Sequence, residues 1–149
     1  MKPSQTAAFL ALAAVGAAQL VQRELHQRQN NHIALAGRQD EWLTDMTTHP
    51  ELAKPWVPEG VEVEEYVRLL GANRQICTLS LWHRLGLARG QKLRLLADML
   101  MGSDAVRTYW THFGGLRAEE AAADRIQQRF NAVMHDAFVA RPETEPVGV

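Results

Sequence analysis

The sequence predicts an all-α protein, in which an N-terminal apolar helix continues into a bundle of about five helices. Three observations lead to this fold class. Apolar residues recur three or four positions apart in the segments after residue 22. No segment alternates apolar and polar residues with the period of two that a half-buried strand requires. The 149 residues are 46% hydrophobic, which suits one folded domain and excludes a wholly disordered chain.

The first segment is a run without charged residues from Thr6 to Val21. As a helix this run spans roughly 24 Å, and its polar flanks bring it close to the ~20 residues that cross a bilayer. We therefore predict that residues 1–21 are an anchor and that residues 6–21 contact the membrane. The anchor predicts a single-pass protein of the inner (plasma) membrane.

Basic residues on either side of the run predict its orientation. Lys2 precedes the run, whereas Arg23, Arg28 and Arg38 follow it. The positive-inside rule then places the C-terminal domain in the cytoplasm. Two alternatives stay open. The run can be a signal peptide cleaved near residues 14–18, or an alanine-rich helix packed in the bundle of a soluble cytoplasmic protein.

Residues 22–140 are predicted to form the helical bundle domain, and residues 141–149 a flexible tail. A polar helix follows the anchor and ends at His49-Pro50, because the residue before a proline is pushed out of the α region. The proline-rich stretch 50–60 is predicted to be a connection. Further helices are expected over residues 61–85, 91–101, 103–113 and 117–139, with Ser103 as an N-cap, Met99 and Ile126 facing the core, and a break at Gly114-Gly115.

The charges are strongly segregated along the chain, although the total is only −1. Residues 40–65 contain eight acidic residues and one lysine, a net charge of −7. Residues 66–97 contain six basic residues and no acidic residue. We hypothesise that these two blocks face each other across the bundle. The near-neutral total argues against nucleic acid as a partner.

Recognisable catalytic and metal-binding patterns are absent from the sequence. No phosphate-binding loop, HExxH pair or GxSxG elbow occurs, so no catalytic residue, metal ligand or cofactor is predicted. The lone cysteine, Cys77, lies among apolar residues and is expected to belong to the core. One candidate site for an anion or an acidic partner is the basic corner formed by His83, Arg84, Arg89, Lys92 and Arg94. Solvated arginines that support helix ends are the alternative interpretation.

A second candidate site is an aromatic set with one arginine. Trp82, Arg107, Tyr109 and Trp110 could line a ligand cavity, and Arg107 and Trp110 are three residues apart and could stack. The same spacing is what an ordinary buried helix face requires.

Several short motifs resemble a family of small actinobacterial proteins of uncharacterised function. They are the polar helix QRELHQRQNNHIALAGRQDEWLTDM, the stop THPELAKPW, the pair Leu81-Trp82 and the Arg-x-x-Trp of Arg107 to Trp110. The resemblance implies a bacterial membrane segment followed by a helical cytoplasmic region, and it implies no known activity.

Two functional hypotheses remain. The first is a membrane-anchored helical interaction or scaffold protein, with self-association as one form of interaction and the identity of any protein partner open. The second is a helical enzyme or small-ligand-binding protein whose cavity is lined by aromatic and basic residues. An enzyme is the less favoured hypothesis, because no catalytic constellation is present.

Overall fold

The computed structural model describes residues 3–141, with side chains from residue 5 onwards. Within this range the chain is helical and contains no strand, which confirms the predicted all-α class. The helices are α1 (Pro3–Thr48), α2 (Pro50–Ala53), α3 (Val63–Arg84), α4 (Gly90–Leu100), α5 (Asp104–Glu120) and α6 (Arg125–Ala140), and a 3₁₀ turn covers Lys54–Trp56. The predicted tail lies, from residue 142, outside the described residues.

The chain divides into two compact units, Met1–Leu35 and Ala36–Val149. We call them the N-terminal unit and the C-terminal unit. The boundary predicted after residue 21 is a different one, since it marks the expected end of the membrane-inserted segment. It stays a prediction.

The N-terminal unit is the first part of α1, and its large apolar side chains are exposed. α1 is long enough and apolar enough to cross a membrane, and none of its apolar window is buried. Length and composition are the basis of this statement, and a signal sequence meets the same criteria. The exposed large apolar residues of this unit are Phe9, Leu10, Leu12, Val15, Leu20, Val21, Leu25, Ile33 and Leu35.

A small apolar cluster in the C-terminal unit joins the end of α1 to α2 and α3. Leu43, Met46, Ala53 and Leu70 are buried together. α1 ends at Thr48, which confirms the predicted stop before Pro50. The connection that follows is more ordered than expected, because Pro50 stands in the first turn of α2, where a missing N–H costs little.

The main core of the C-terminal unit lies between α3, α4, α5 and α6. Its largest fully buried side chains include Ile76, Met101, Phe130 and Met134. Between α3 and α4 the backbone turns at Gly86, which has a φ of 79°. Glycine adopts this left-handed conformation without strain, and the predicted end of the helix near residue 85 is confirmed.

The expected helix break at Gly114-Gly115 is wrong, because α5 continues through both glycines to Glu120. An added Cβ at Gly114 would lie 3.1 Å from Nε1 of Trp110, so this glycine makes room for the indole of a core residue. Tertiary packing outweighs a propensity cost of about 1 kcal/mol per glycine. Consequently the last helix begins at Arg125 and not near Arg117.

Three expectations about single side chains differ from the structure. Met99 is 64% exposed, because the buried stripe of α4 passes through Leu93 and Ala97. Ile126 is 41% exposed in the first turn of α6, one turn before the first buried residue of that helix. Ser103 holds the N-cap position of α5 as expected, but its side chain makes no capping hydrogen bond.

Candidate functional site

The predicted basic corner lies at the turn from α3 to α4, and two of its residues are already engaged there. The Nδ1 of His83 donates to the carbonyl of Ala88 at 3.0 Å, since a carbonyl can only accept. Arg84 forms an ion pair with Asp124, the residue before α6, and its side chain is only 20% exposed. These two side chains therefore hold the turn and α6 in place.

The other three cations of the corner are exposed. The guanidinium of Arg89 lies over Gly86, so that any side chain at position 86 would collide with it. Lys92 and Arg94 form no ion pair with any residue in the described range 3–141. In the basic corner, His83 and Arg84 are therefore engaged in contacts within the fold, whereas Arg89, Lys92 and Arg94 are exposed. Binding of an anion or a partner at this corner stays a prediction.

Asp124 connects the basic corner to the start of α6. Its Oδ1 accepts hydrogen bonds from the backbone N–H groups of Ile126 (3.0 Å) and Gln127 (3.1 Å), as an N-cap does. Partial burial works to raise the pKa of Asp124, but the hydrogen bond from Arg84 and these two N–H groups together lower it below 3.8. The carboxylate is therefore held in its charged form.

The aromatic set is spread over different places in the C-terminal unit. Trp82 lines a groove between α3 and α4, whereas Trp110 lines a second groove between α5 and α6. Arg107 lies over the ring of Phe138, 4.7 Å from its centroid, and donates to the Phe138 carbonyl at 3.2 Å. The arginine therefore ties α5 to the end of α6, and its observed aromatic partner is Phe138.

Tyr109 belongs to a polar cluster that the sequence reasoning did not find. Its hydroxyl lies 2.9 Å from Oδ1 of Asn73, and Arg117 donates to the same Oδ1 at 3.0 Å. Arg117 also donates to Sγ of Cys77 at 3.2 Å and to the Tyr109 oxygen at 3.3 Å. Cys77, expected in the core, is half-buried in this cluster. In the sequence, the feature that could have indicated this cluster is the spacing of Asn73 and Cys77, which are four residues apart and therefore share one face of a helix.

Burial is the main reason that the pKa of Tyr109 is raised above 10, although the charge and hydrogen bond of Arg117 work in the opposite direction. The phenol therefore stays protonated at neutral pH. The cluster joins α3 to α5 through a positive charge surrounded by neutral acceptors, which makes it a structural connection between the two helices.

The groove between α3 and α4 has a volume of about 450 Å³. Trp82, Leu96 and Met99 form its apolar wall, and Arg74 and Gln75 add polar groups. Drug-sized ligands bind in pockets of ~300–1,000 Å³ with mostly apolar linings, so the groove has a suitable size for a small molecule or an apolar side chain.

The groove between α5 and α6 is larger, about 590 Å³. Both glycines of the pair in α5 line it, and nothing lies within 4 Å of a Cβ placed at Gly115. Asn131 is buried at its edge, where it donates to the carbonyl of Arg117 at 2.9 Å. The polar groups of this groove therefore contribute to joining α5 and α6.

Comparison with protein families gives a match over almost the whole chain. A family described as "Family of unknown function (DUF6082)" matches residues 2–148. The chain belongs to the DUF6082 family. This membership confirms the expected resemblance at the level of an uncharacterised family and covers both units. No curated protein and no solved structure shows significant similarity to this chain.

In this DUF6082 protein the acidic and basic blocks meet at two points. Asp40 and Arg74 form an ion pair at 2.6 Å, and Glu65 and Arg68 form one at 2.7 Å. Hydrogen bonds from these arginines are the main cause that lowers the pKa of both carboxyl groups. Glu65 and Arg68 lie one turn apart within α3, so among the eight acidic residues the hypothesis of charge matching across the bundle holds for Asp40 alone. The other six are exposed and form no ion pair within the described range: Glu41, Asp45, Glu51, Glu59, Glu62 and Glu64.

The described part of the DUF6082 chain contains no group of three or more His, Cys, Asp or Glu side chains that could hold a metal ion.

Proposed function

We propose that this DUF6082 protein is a membrane-anchored interaction protein, in which α1 inserts into the bilayer and the C-terminal unit displays binding surfaces. The observation that supports insertion is the exposure of every large apolar side chain between Phe9 and Val21. Each of these six side chains contributes about −0.3 to −0.6 kcal/mol to the insertion of a helix, so together they favour entry into lipid.

The chemistry of the C-terminal unit supports interaction as its role. Trp42 and Trp56 contact each other edge to face at 6.2 Å, and both are exposed. Tryptophan is enriched among the residues that dominate binding energy at interfaces, so an exposed pair of tryptophans in contact suits a surface that binds a partner.

Extraction of membranes with alkaline carbonate tests the anchor in the full-length chain. We expect the wild type in the membrane pellet, and the double variant Leu12→Arg/Val15→Arg in the supernatant. An arginine at the centre of a spanning helix costs about 2.5–3.5 kcal/mol. The matched control is Leu25→Arg/Ile33→Arg, which places two arginines at exposed positions of α1 outside the uncharged run and should stay in the pellet.

Two results would contradict the anchor. One is a wild-type protein that carbonate removes from the membrane. The other is an intact mass that lacks the first residues up to about residue 18, which would identify the run as a cleaved signal peptide.

The groove between α3 and α4 favours small-ligand binding as a second candidate function. Its volume and the exposed Trp82 at its wall are the specific observations. Native mass spectrometry of the purified chain should then detect a bound small molecule that is lost in Leu96→Trp, which fills the groove, and retained in Leu95→Trp, which lies on the exposed face of α4. A wild-type mass equal to that of the chain alone would count against this candidate.

A further inference from the structure

One end of the C-terminal unit, which we call the acidic end, combines negative charge with exposed aromatic side chains. It consists of the end of α1, α2, the 3₁₀ turn and the loop before α3. Residues 40–65 carry a net charge of −7, and only two of the eight acidic side chains are paired within the described range. The same segment contains the exposed pair Trp42 and Trp56, which contact each other, and the exposed Leu52.

The opposite end, which we call the basic end, combines positive charge with exposed aliphatic side chains. It consists of the turn from α3 to α4, the first part of α4 and the turn into α6, which the ion pair of Arg84 and Asp124 holds together. Residues 84–95 and 119–129 contain six basic and three acidic residues, a net charge of +3. Its exposed apolar side chains are Leu87, Leu95 and Ile126.

Helix α3 separates the two ends. Tyr66, near its start, packs against the apolar cluster at the acidic end, and Arg84, its last residue, lies at the basic end. Eighteen residues of helix correspond to about 27 Å. The Debye length at physiological salt is about 8 Å, so the charges at one end do not neutralise those at the other.

We propose that the C-terminal unit binds a second copy of this chain head to tail, with the acidic end of one copy against the basic end of the next. Charge complementarity is the argument for this occupant, since each end presents what the other lacks: carboxylates with Trp42 and Trp56 meet cations with Leu87 and Leu95. A heterologous contact of this kind leaves one end of each copy free and extends to a ring or an open chain of copies.

This inference rests on the proposed interaction role and names the partner. Other occupants suit only one end. An anionic lipid surface would attract the basic end and repel the acidic end, and a basic peptide would do the reverse. A second copy is complementary to both ends at once.

Sedimentation velocity on the full-length chain in micelles of an uncharged detergent tests the proposal. We expect the wild type to associate at about 50 mM salt and to dissociate at about 500 mM, because exposed charge pairs are screened. Two triple variants change the charge of one end each. Glu41→Lys/Asp45→Lys/Glu51→Lys leaves residues 40–65 with a net charge of only −1, and Lys92→Glu/Arg94→Glu/Arg125→Glu changes the basic end from +3 to −3. Each should associate about 10-fold more weakly than the wild type, since three exposed pairs of ~0.5 kcal/mol are lost.

An equimolar mixture of the two variants decides the matter. In the mixture the unchanged basic end of the first variant meets the unchanged acidic end of the second, so mixed pairs should form about as tightly as the wild type associates, and a misfolded variant could not be rescued in this way. A monomeric wild type at low salt, wild-type association in either variant alone, or a mixture that stays dissociated would overturn the proposal. Carbonate extraction is independent of these substitutions, so a monomeric but anchored protein would contradict this inference and leave the anchor standing.

Discussion

At the scale of single residues, Arg84 and Arg117 are two of the partly buried arginines of the C-terminal unit, and they are held in different ways. Arg84 pairs with a carboxylate, that of Asp124. Arg117 instead donates to the neutral groups of Asn73, Tyr109 and Cys77 and lies 5.6 Å from the centroid of the Tyr109 ring. Burial works against the charged guanidinium of Arg117, but the tyrosine oxygen and the cysteine sulfur outweigh it and raise the pKa of Arg117 further. Both arginines therefore stay charged and connect helices.

The lowered pKa of Asp124 predicts a pH-dependent contribution to stability. A carboxyl group whose pKa is lower in the folded state stabilises the fold above its ordinary pKa of 3.8 and loses that contribution as the pH falls through the folded value. We expect Asp124→Asn to lower the free energy of unfolding by about 1 kcal/mol at neutral pH, because the ion pair with Arg84 and the negative charge at the start of α6 are lost, whereas asparagine still caps the helix.

Urea unfolding followed by tryptophan fluorescence measures this difference, since all four tryptophans lie in the C-terminal unit. The difference between wild type and Asp124→Asn should shrink below about pH 4, where the wild-type carboxyl also becomes neutral. Asp136→Asn, at an exposed position of α6, is the matched control and should leave stability unchanged at every pH. A difference that is the same at acid and neutral pH would contradict the assignment to the charged carboxylate.

At the scale of helices, the two adjacent glycines of α5 occupy unlike surroundings. A Cβ at Gly115 would meet nothing within 4 Å, whereas a Cβ at Gly114 would press on the buried indole of Trp110. Both glycines lie inside a helix, where alanine is intrinsically more stable by about 1 kcal/mol.

These surroundings predict different effects of the same substitution at the two neighbouring positions. Gly115→Ala should stabilise the protein by roughly 0.5–1 kcal/mol, because only the helix propensity changes. Gly114→Ala should be destabilising relative to Gly115→Ala by about 1 kcal/mol or more, because the core around Trp110 must shift. Thermal unfolding of the two variants measures both effects. Equal melting temperatures for the two variants would show that Trp110 yields without cost.

A comparison of α5 with α1 and α3 shows which structural features could be predicted from the sequence and which could not. The ends of α1 and α3 were predictable because local signals mark them, namely a proline after His49 and the left-handed Gly86. The continuation of α5 through Gly114 was not, because it depends on a contact with Trp110 that exists only in the folded core. The basic corner was visible as a run of cations, whereas the Arg117 cluster draws its members from α3 and α5, which are distant in sequence.

At the scale of the whole molecule, the two proposals assign charge segregation two roles of different range. Close to the proposed anchor, the arginines after Val21 are expected to set membrane orientation, since the effect of basic residues is limited to about 15–20 residues from a spanning segment. Farther along, the acidic and basic ends of the C-terminal unit are proposed to set association with a second copy. A net charge of −1 conceals both effects, because the blocks cancel in the sum.

The proposed orientation, with the C-terminal unit in the cytoplasm, can be inverted by exchanging the flanking charges. Three arginines follow the apolar run within about 17 residues, and one lysine precedes it. We expect an alkaline phosphatase fused after Val149 to be inactive in the wild type, because the enzyme folds only outside the cytoplasm. The variant Ser4→Lys/Gln5→Lys/Arg23→Gln/Arg28→Gln/Arg38→Gln should make it active, since three cations then precede the run and none lies close behind it. Arg89→Gln/Lys92→Gln/Arg94→Gln, which removes as many arginines and lysines far from the run, should leave it inactive. Phosphatase activity in the wild-type fusion would show that the C-terminal unit lies on the other side of the membrane and that the flanking arginines do not orient α1.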